Sequence, residues 1–120
     1  MNFPKATIAL LDRTDEVDIE TQSPKGTTHS VPIWIVVDGD DVFIRAYRGP
    51  TSRWYRELVA RPGAVVLKGQ RIPVRATVAT DADSVKRTSD GYRKKYRKGS
   101  SLDDMLVPLV LPTTLRLEPA

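Results

Sequence analysis

The run from Arg45 to Arg53 gathers the residue types best suited to holding an anion. An extended segment brings Arg45 and Tyr47 to one face. A Gly49-Pro50 loop follows and carries Arg48, and a helix then opens with Arg53 and Trp54. Free N–H groups at a helix start, with guanidinium groups beside them, suit a phosphate. Arginine fits because its planar fork grips two oxygens at once. Lys68 and Arg71, near the next turn, can add charge. The same arginines can instead be solvated or paired with carboxylates, and spacing alone leaves both readings open.

Other chemistries are excluded by what the sequence lacks. There is no cysteine, which removes disulfides, thiolate zinc sites and a Cys nucleophile. The single histidine, His29, cannot supply a two-His metal motif, and no Gly-x-Ser-x-Gly elbow accompanies it. A structural or substrate-contacting role suits His29 better than a catalytic one. The carboxylate pair Asp40-Asp41 reads as turn chemistry, and Asp103-Asp104 is a second such pair. Neither a phosphate-binding Gly-x-x-x-x-Gly-Lys loop nor a Gly-x-Gly-x-x-Gly fingerprint occurs.

The elements that must position the arginines follow from periodicity. Pro4 to Leu11 reads as an opening helix, and Val17 to Thr21 alternates like a half-buried strand. Ser23-Pro24-Lys25-Gly26 is a turn. Ser30 to Val37 is the clearest strand, with Val31, Ile33, Ile35 and Val37 on one face and Pro32, Trp34 and Val36 on the other. Apolar groups on both faces imply a covered sheet. Pro32 lacks a donor and belongs near the strand start or beside an irregularity. Asp38-Gly39-Asp40-Asp41 turns the chain into a returning strand, Val42 to Tyr47. Thr51 or Ser52 can cap the helix Arg53 to Ala60, which ends at Pro62-Gly63. Strands Ala64 to Leu67 and Ile72 to Val78 flank Lys68-Gly69-Gln70. Asp81 and Asp83 favour the start of a second long helix, with Val85, Tyr92 and Tyr96 inward and Gly99 as its stop. Pro108 and Pro112 limit the apolar stretch Leu102 to Leu111, and Thr113 to Leu117 is a last strand. The order predicts a mainly β (α+β) fold, a six-stranded antiparallel barrel with two or three flanking helices.

The chain has 120 residues, 40% hydrophobic and 28% charged, as expected for one domain spanning residues 1–120. The net charge of +4 is uneven: residues 86–98 hold seven basic groups against Asp90 alone. That run invites a nucleic-acid reading, but no aromatic stacking platform or helix-turn-helix accompanies it, and a solvated basic face is the better expectation. No signal-like leader or membrane-length apolar run is present, so the expected location is the cytoplasm, without a membrane partner.

Several segments together carry a family resemblance. They are Val31-Pro32-Ile33-Trp34-Ile35-Val36-Val37-Asp38-Gly39, Val42 to Arg45, Arg48-Gly49-Pro50, Arg53-Trp54-Tyr55-Arg56-Glu57-Leu58 and Thr113-Thr114-Leu115-Arg116-Leu117. The chain resembles a bacterial family of short uncharacterised proteins. That family is similar to the split β-barrel oxidoreductases, namely the pyridoxamine-phosphate-oxidase-like flavoproteins and the deazaflavin-dependent nitroreductases. The resemblance implies a homodimer with FMN or a deazaflavin coenzyme in a groove between subunits, acting on a small molecule. It implies that the strand around Pro32, Ile33, Trp34 and Ile35 flanks the ring. It implies that Arg45, Arg48, Gly49, Arg53 and Trp54 hold the phosphate tail, with Lys68 a lesser candidate. The resemblance names no catalytic residue, because the ring itself would do the redox chemistry. Short members without a cofactor leave a non-catalytic ligand-binding or scaffold barrel as the alternative. Trp34 can line the pocket or serve as a core or interface aromatic. Trp54 is expected to pack its helix, and Tyr92 and Tyr96 to anchor the last long helix.

Overall fold

A computed structural model describes residues 2–96 and 100–120. The elements in order are α1 (Lys5–Asp12), β1 (Glu16–Gln22), β2 (Thr28–Asp38), β3 (Asp41–Ile44), α2 (Arg53–Ala60), β4 (Gly63–Leu67) and β5 (Gln70–Val78). Then come α3 (Ala82–Lys95), the short α4 (Ser100–Asp104), a 3-10 turn at Leu111–Thr113 and β6 (Leu115–Pro119). The six strands close into an antiparallel barrel in the order β1-β2-β3-β6-β5-β4. Among the described residues four α-helices flank it, one more than expected, because the five residues of α4 add a turn. Among the described residues no helix is long and apolar enough to cross a membrane.

Period-two alternation builds the interior. Val17 and Ile19, Ile33 and Ile35, Val42 and Ile44, Val65 and Leu67, Val74, and Leu115 and Leu117 are all buried in one cluster. Leu58 of α2 and Phe3 and Leu11 of the N-terminal segment join the same cluster. Each such aliphatic side chain stabilises the fold by about 1.5–3 kcal/mol. The outer face of β2 carries a second cluster, in which Val36 meets Tyr92, Tyr96 and Met105, with Trp34 packed alongside. This is the covered outer face that the two-sided apolar pattern of β2 requires.

β2 changes partners halfway along. Thr28 to Trp34 pair with β1, whereas Ile35 to Asp38 pair with β3. Each half therefore has one edge without a neighbouring strand. Pro32 lies in the first half, beyond the reach of the β3 ladder, so its missing donor leaves no gap there. On the second half, side chains of α3 take over. The Tyr96 hydroxyl accepts from Ile35 N at 3.1 Å, and Lys95 Nζ donates to Ile35 O at 2.8 Å. Lys95 also donates to Leu11 O and Thr14 O, closing the end of α1. Burial pushes the Lys95 ammonium below its ordinary value, against the pull of Asp12 and Asp15. Gly91 lets α3 approach this closely, since a Cβ there would stand 2.2 Å from Val36 Cγ1.

Several local expectations need correction. The strand expected to run to Tyr47 ends at Ile44, and Ala46 N turns to bond Thr113 Oγ1 at 3.0 Å. Thr113 itself lies in the 3-10 turn, so the last strand begins at Leu115. Ser52 occupies the N-cap position of α2 but makes no capping bond; its Oγ donates to Gly49 O at 2.9 Å. Val85 is half-buried, and Ser84, Thr88 and Ser89 join Tyr92 on the inner side of α3. Asp81 does cap α3, accepting from Ser84 N at 3.0 Å. Gly99, the expected stop, lies outside the described residues.

The basic run is not simply a solvated face. Arg87 reaches Asp38 and Asp41 of the β2–β3 hairpin, Lys86 pairs with Asp90, Arg93 is 3.2 Å from Asp90, and Lys95 is bound as above. Arg97 and Lys98 fall outside the described residues.

Candidate cofactor cleft at the split of the barrel

Where the first half of β2 loses β3, the barrel opens into a cleft of about 1010 Å³. One wall is β2, through Val31, Pro32, Ile33 and Trp34. The opposite wall is the segment leaving β3, with Arg45, Tyr47 and Arg48, and the start of α2, with Thr51, Ser52, Arg53 and Trp54. Glu16, Asp104 and Met105 complete it. The size suits a cofactor-sized molecule.

Seven of the nine residues singled out from the sequence line this one cleft: Pro32, Ile33, Trp34, Arg45, Arg48, Arg53 and Trp54. Gly49 does not line it but shapes the loop. Its φ of +89° suits glycine, and a Cβ there would press on Leu109 at 3.2 Å. Lys68 sits exposed in the β4–β5 turn with φ +48° and does not line the cleft. Arg71 is likewise absent from the lining and pairs with Glu20 at 2.9 Å. Ile35, expected to flank the ring, has both backbone groups taken by α3.

The three cleft arginines differ in kind. Arg48 is exposed, donates to the Tyr47 hydroxyl at 2.8 Å and lies over that ring. Arg53 is half exposed, with its Nε 4.0 Å from Glu57. Both heads can reach a ligand. Arg45 is 1% exposed and spends its donors inside the protein. Its Nε donates to Thr114 Oγ1 at 2.8 Å, Nη1 to Ser89 Oγ and Met105 O, and Nη2 to Val85 O. It is therefore not the flexible phosphate grip its sequence position implies. It ties the cleft wall to α3, the residue just before β6 and the turn after α4. Burial pushes its guanidinium below the ordinary value.

The start of α2 adds backbone donors. Ser52 makes no side-chain capping bond, so the first N–H groups of α2 lack that partner, and the helix start lines the cleft through Ser52, Arg53 and Trp54. Trp34 supplies an apolar surface and is itself fixed by Tyr96. Their rings stack with centroids 4.1 Å apart and planes 2° from parallel. Tyr92 donates to Trp34 O at 3.2 Å, and burial pushes the Tyr92 and Tyr96 phenols up, so both stay neutral donors. Trp34 thus combines the two roles left open by sequence, and Tyr92 and Tyr96 anchor α3 as expected.

Glu57, one turn after Arg53, was not foreseen. It is buried, accepts from Thr21 Oγ1 at 2.8 Å, and lies 3.2 Å from His29 Nδ1. Burial alone would raise its carboxyl, but the bonds from Thr21 and His29 and the nearby Arg53 hold it below the ordinary value. His29 is thereby placed at the end of the barrel, under α2 and outside the cleft lining. No group of His, Asp or Glu among the described residues is arranged to hold a metal ion.

Barrel, split and cleft define the split-barrel fold. Over residues 7–117 the chain matches the family described as an uncharacterized protein conserved in bacteria (DUF2255), and it belongs to that family. No curated protein matches it. Solved structures share the fold at low identity. An F420 reductase is 18% identical with TM-score 0.59, covering 98% of this chain and 96% of that one. The FAD binding protein of Mycobacterium smegmatis is 13% identical with TM-score 0.60, covering 100% and 92%. HutZ, the heme storage protein of Vibrio cholerae, is 14% identical with TM-score 0.61, covering 100% and 92%. The likeness is one of fold, and that fold serves several ligands.

Proposed function

We propose that the cleft takes a flavin-type cofactor, FMN or a deazaflavin coenzyme, and that the protein acts with it as a cytoplasmic oxidoreductase on a small organic substrate. The observation that carries this reading is the convergence at the split. Arg48, Arg53 and the uncapped start of α2 form an anionic-tail site beside the fixed, apolar Trp34. These residues fit the group: guanidinium and backbone N–H for phosphate, and Pro32, Ile33 and Trp34 for the ring. When bound, the ring supplies the redox chemistry. The chain's own part is to hold the tail, to cover one ring face and to fix Trp34 through Tyr96.

The proposal includes a homodimer. Tyr47, at the cleft, is 53% exposed, and Val107 and Leu109 are also exposed and large. Leu109 lies over Gly49, so this apolar surface borders the arginine loop. A second subunit covering it would shield the cleft from water.

The competing reading is a ligand-binding barrel without turnover, which the heme storage neighbour of the same fold keeps open. Titration of purified protein with FMN, deazaflavin and heme, followed by absorption and fluorescence, separates them. Saturable FMN or deazaflavin binding is expected, weakened about tenfold by Arg48→Gln with Arg53→Gln. Absence of flavin and deazaflavin binding at tens of micromolar would overturn the cofactor assignment.

A further inference from the structure

Arg45 has four hydrogen bonds, all to neutral groups: the hydroxyls of Thr114 and Ser89 and the carbonyls of Met105 and Val85. Among the described residues no carboxylate pairs with it. Arg87, by contrast, meets Asp38, Asp41 and Asp83, and Arg71 meets Glu20. A guanidinium stays charged at neutral pH even when buried. Arg45 is therefore a buried cation satisfied in hydrogen bonds, with its head 5.8 Å from the Tyr92 ring centroid and no carboxylate paired to it, while the exposed Glu16 and Asp104 line the same cleft. Such a charge costs several kcal/mol of desolvation unless an opposite charge approaches. It lines the cleft at the split.

We infer that Arg45 is the specificity-determining charge of the cleft, selecting ligands that are anionic on its side through its field, while its hydrogen bonds hold the wall in place. This rests on reading the cleft as the ligand site. It assigns Arg45 a role different from that of Arg48 and Arg53, which act by contact. Salt separates the two. Exposed charges are screened over about 3 Å at ~1 M salt, whereas buried ones are screened much less. The anion preference that survives high salt should therefore belong to Arg45.

The test compares affinities for FMN and riboflavin, which share a ring but differ in the phosphate, at low salt and at ~1 M NaCl. At high salt the wild type should still prefer FMN by about tenfold. Arg48→Gln with Arg53→Gln should keep that residual preference, Arg45→Lys should keep it, and Arg45→Met should abolish it. A role confined to packing would weaken both flavins alike, so an unchanged ratio in Arg45→Met overturns the inference. Loss of the ratio in Arg45→Lys also overturns it. Should Arg45→Met not fold, the double variant decides: preference retained at high salt supports the inference, and preference lost overturns it. Should the wild type bind neither flavin, the cofactor reading falls separately, and inorganic pyrophosphate becomes the probe. A pyrophosphate-dependent rise in Tm that survives high salt, and the double substitution at Arg48 and Arg53, then supports the anion site. No such rise overturns it.

Discussion

The two halves of β2 meet the same problem in opposite ways. Each lacks a strand on one side, and unpaired backbone groups must find partners or face solvent. On the second half α3 takes over at two points: Tyr96 and Lys95 hold both backbone groups of Ile35, and Arg87 holds Asp38 O at 3.1 Å. Along residues 31–34 the edge facing away from β1 borders the cleft, relieved by Tyr92 at Trp34 O and by the donor-free Pro32. One half is gripped at Ile35 by side chains of α3 and leaves an opening of about 590 Å³ between α1 and α3 beside Val36 to Asp38; the other borders the cleft of about 1010 Å³. The proposed binding site lies where the β3 ladder stops, beside Val31 to Trp34.

Breaking the half gripped by α3 should have the larger effect. In Gly91→Ala the new methyl runs into Val36, so α3 must lift from β2, at a cost of about 2 kcal/mol in urea unfolding. The stacked Trp34–Tyr96 pair should loosen with it, and a near-ultraviolet circular dichroism change would report that. An unchanged unfolding midpoint would show that α3 is not tightly docked.

The half beside the cleft is pinned more lightly, at its far end, by Glu57 on His29. The folded carboxyl ionises below its ordinary value of 4.5, so as pH falls the unfolded chain takes up the proton first. The stabilisation is present above that value and is lost as pH falls through the folded value. Glu57→Gln should cost about 1 kcal/mol at neutral pH. Stability measured from pH 6 to pH 3 should then fall less in the variant than in the wild type. Equal acid sensitivity of the two proteins would remove Glu57 from this role.

Much of this architecture was legible from residue order. Alternation located all six strands, α2 spans Arg53–Ala60 as read, and the turns at Gly39 and Gly69 carry positive φ. The clustering of Pro32, Trp34, Arg48 and Arg53 also followed from one strand, one loop and one helix close together in sequence. What escaped detection depends on distant segments. Arg45 at a strand end looks like a surface residue until Val85, Ser89, Met105 and Thr114 surround it. The partner change between Trp34 and Ile35 depends on where β1 begins and β3 ends, which local propensity does not encode. Glu57 reads as an ordinary helical acid, and only the return of β1 and β2 under α2 buries it against Thr21 and His29.

Amide hydrogen exchange with and without FMN tests the division of β2 most directly. New protection is expected in residues 31–34 and 45–54 and none at Ile35, whose backbone is already held by α3. FMN binding with protection elsewhere, or with none at the split, would contradict that division.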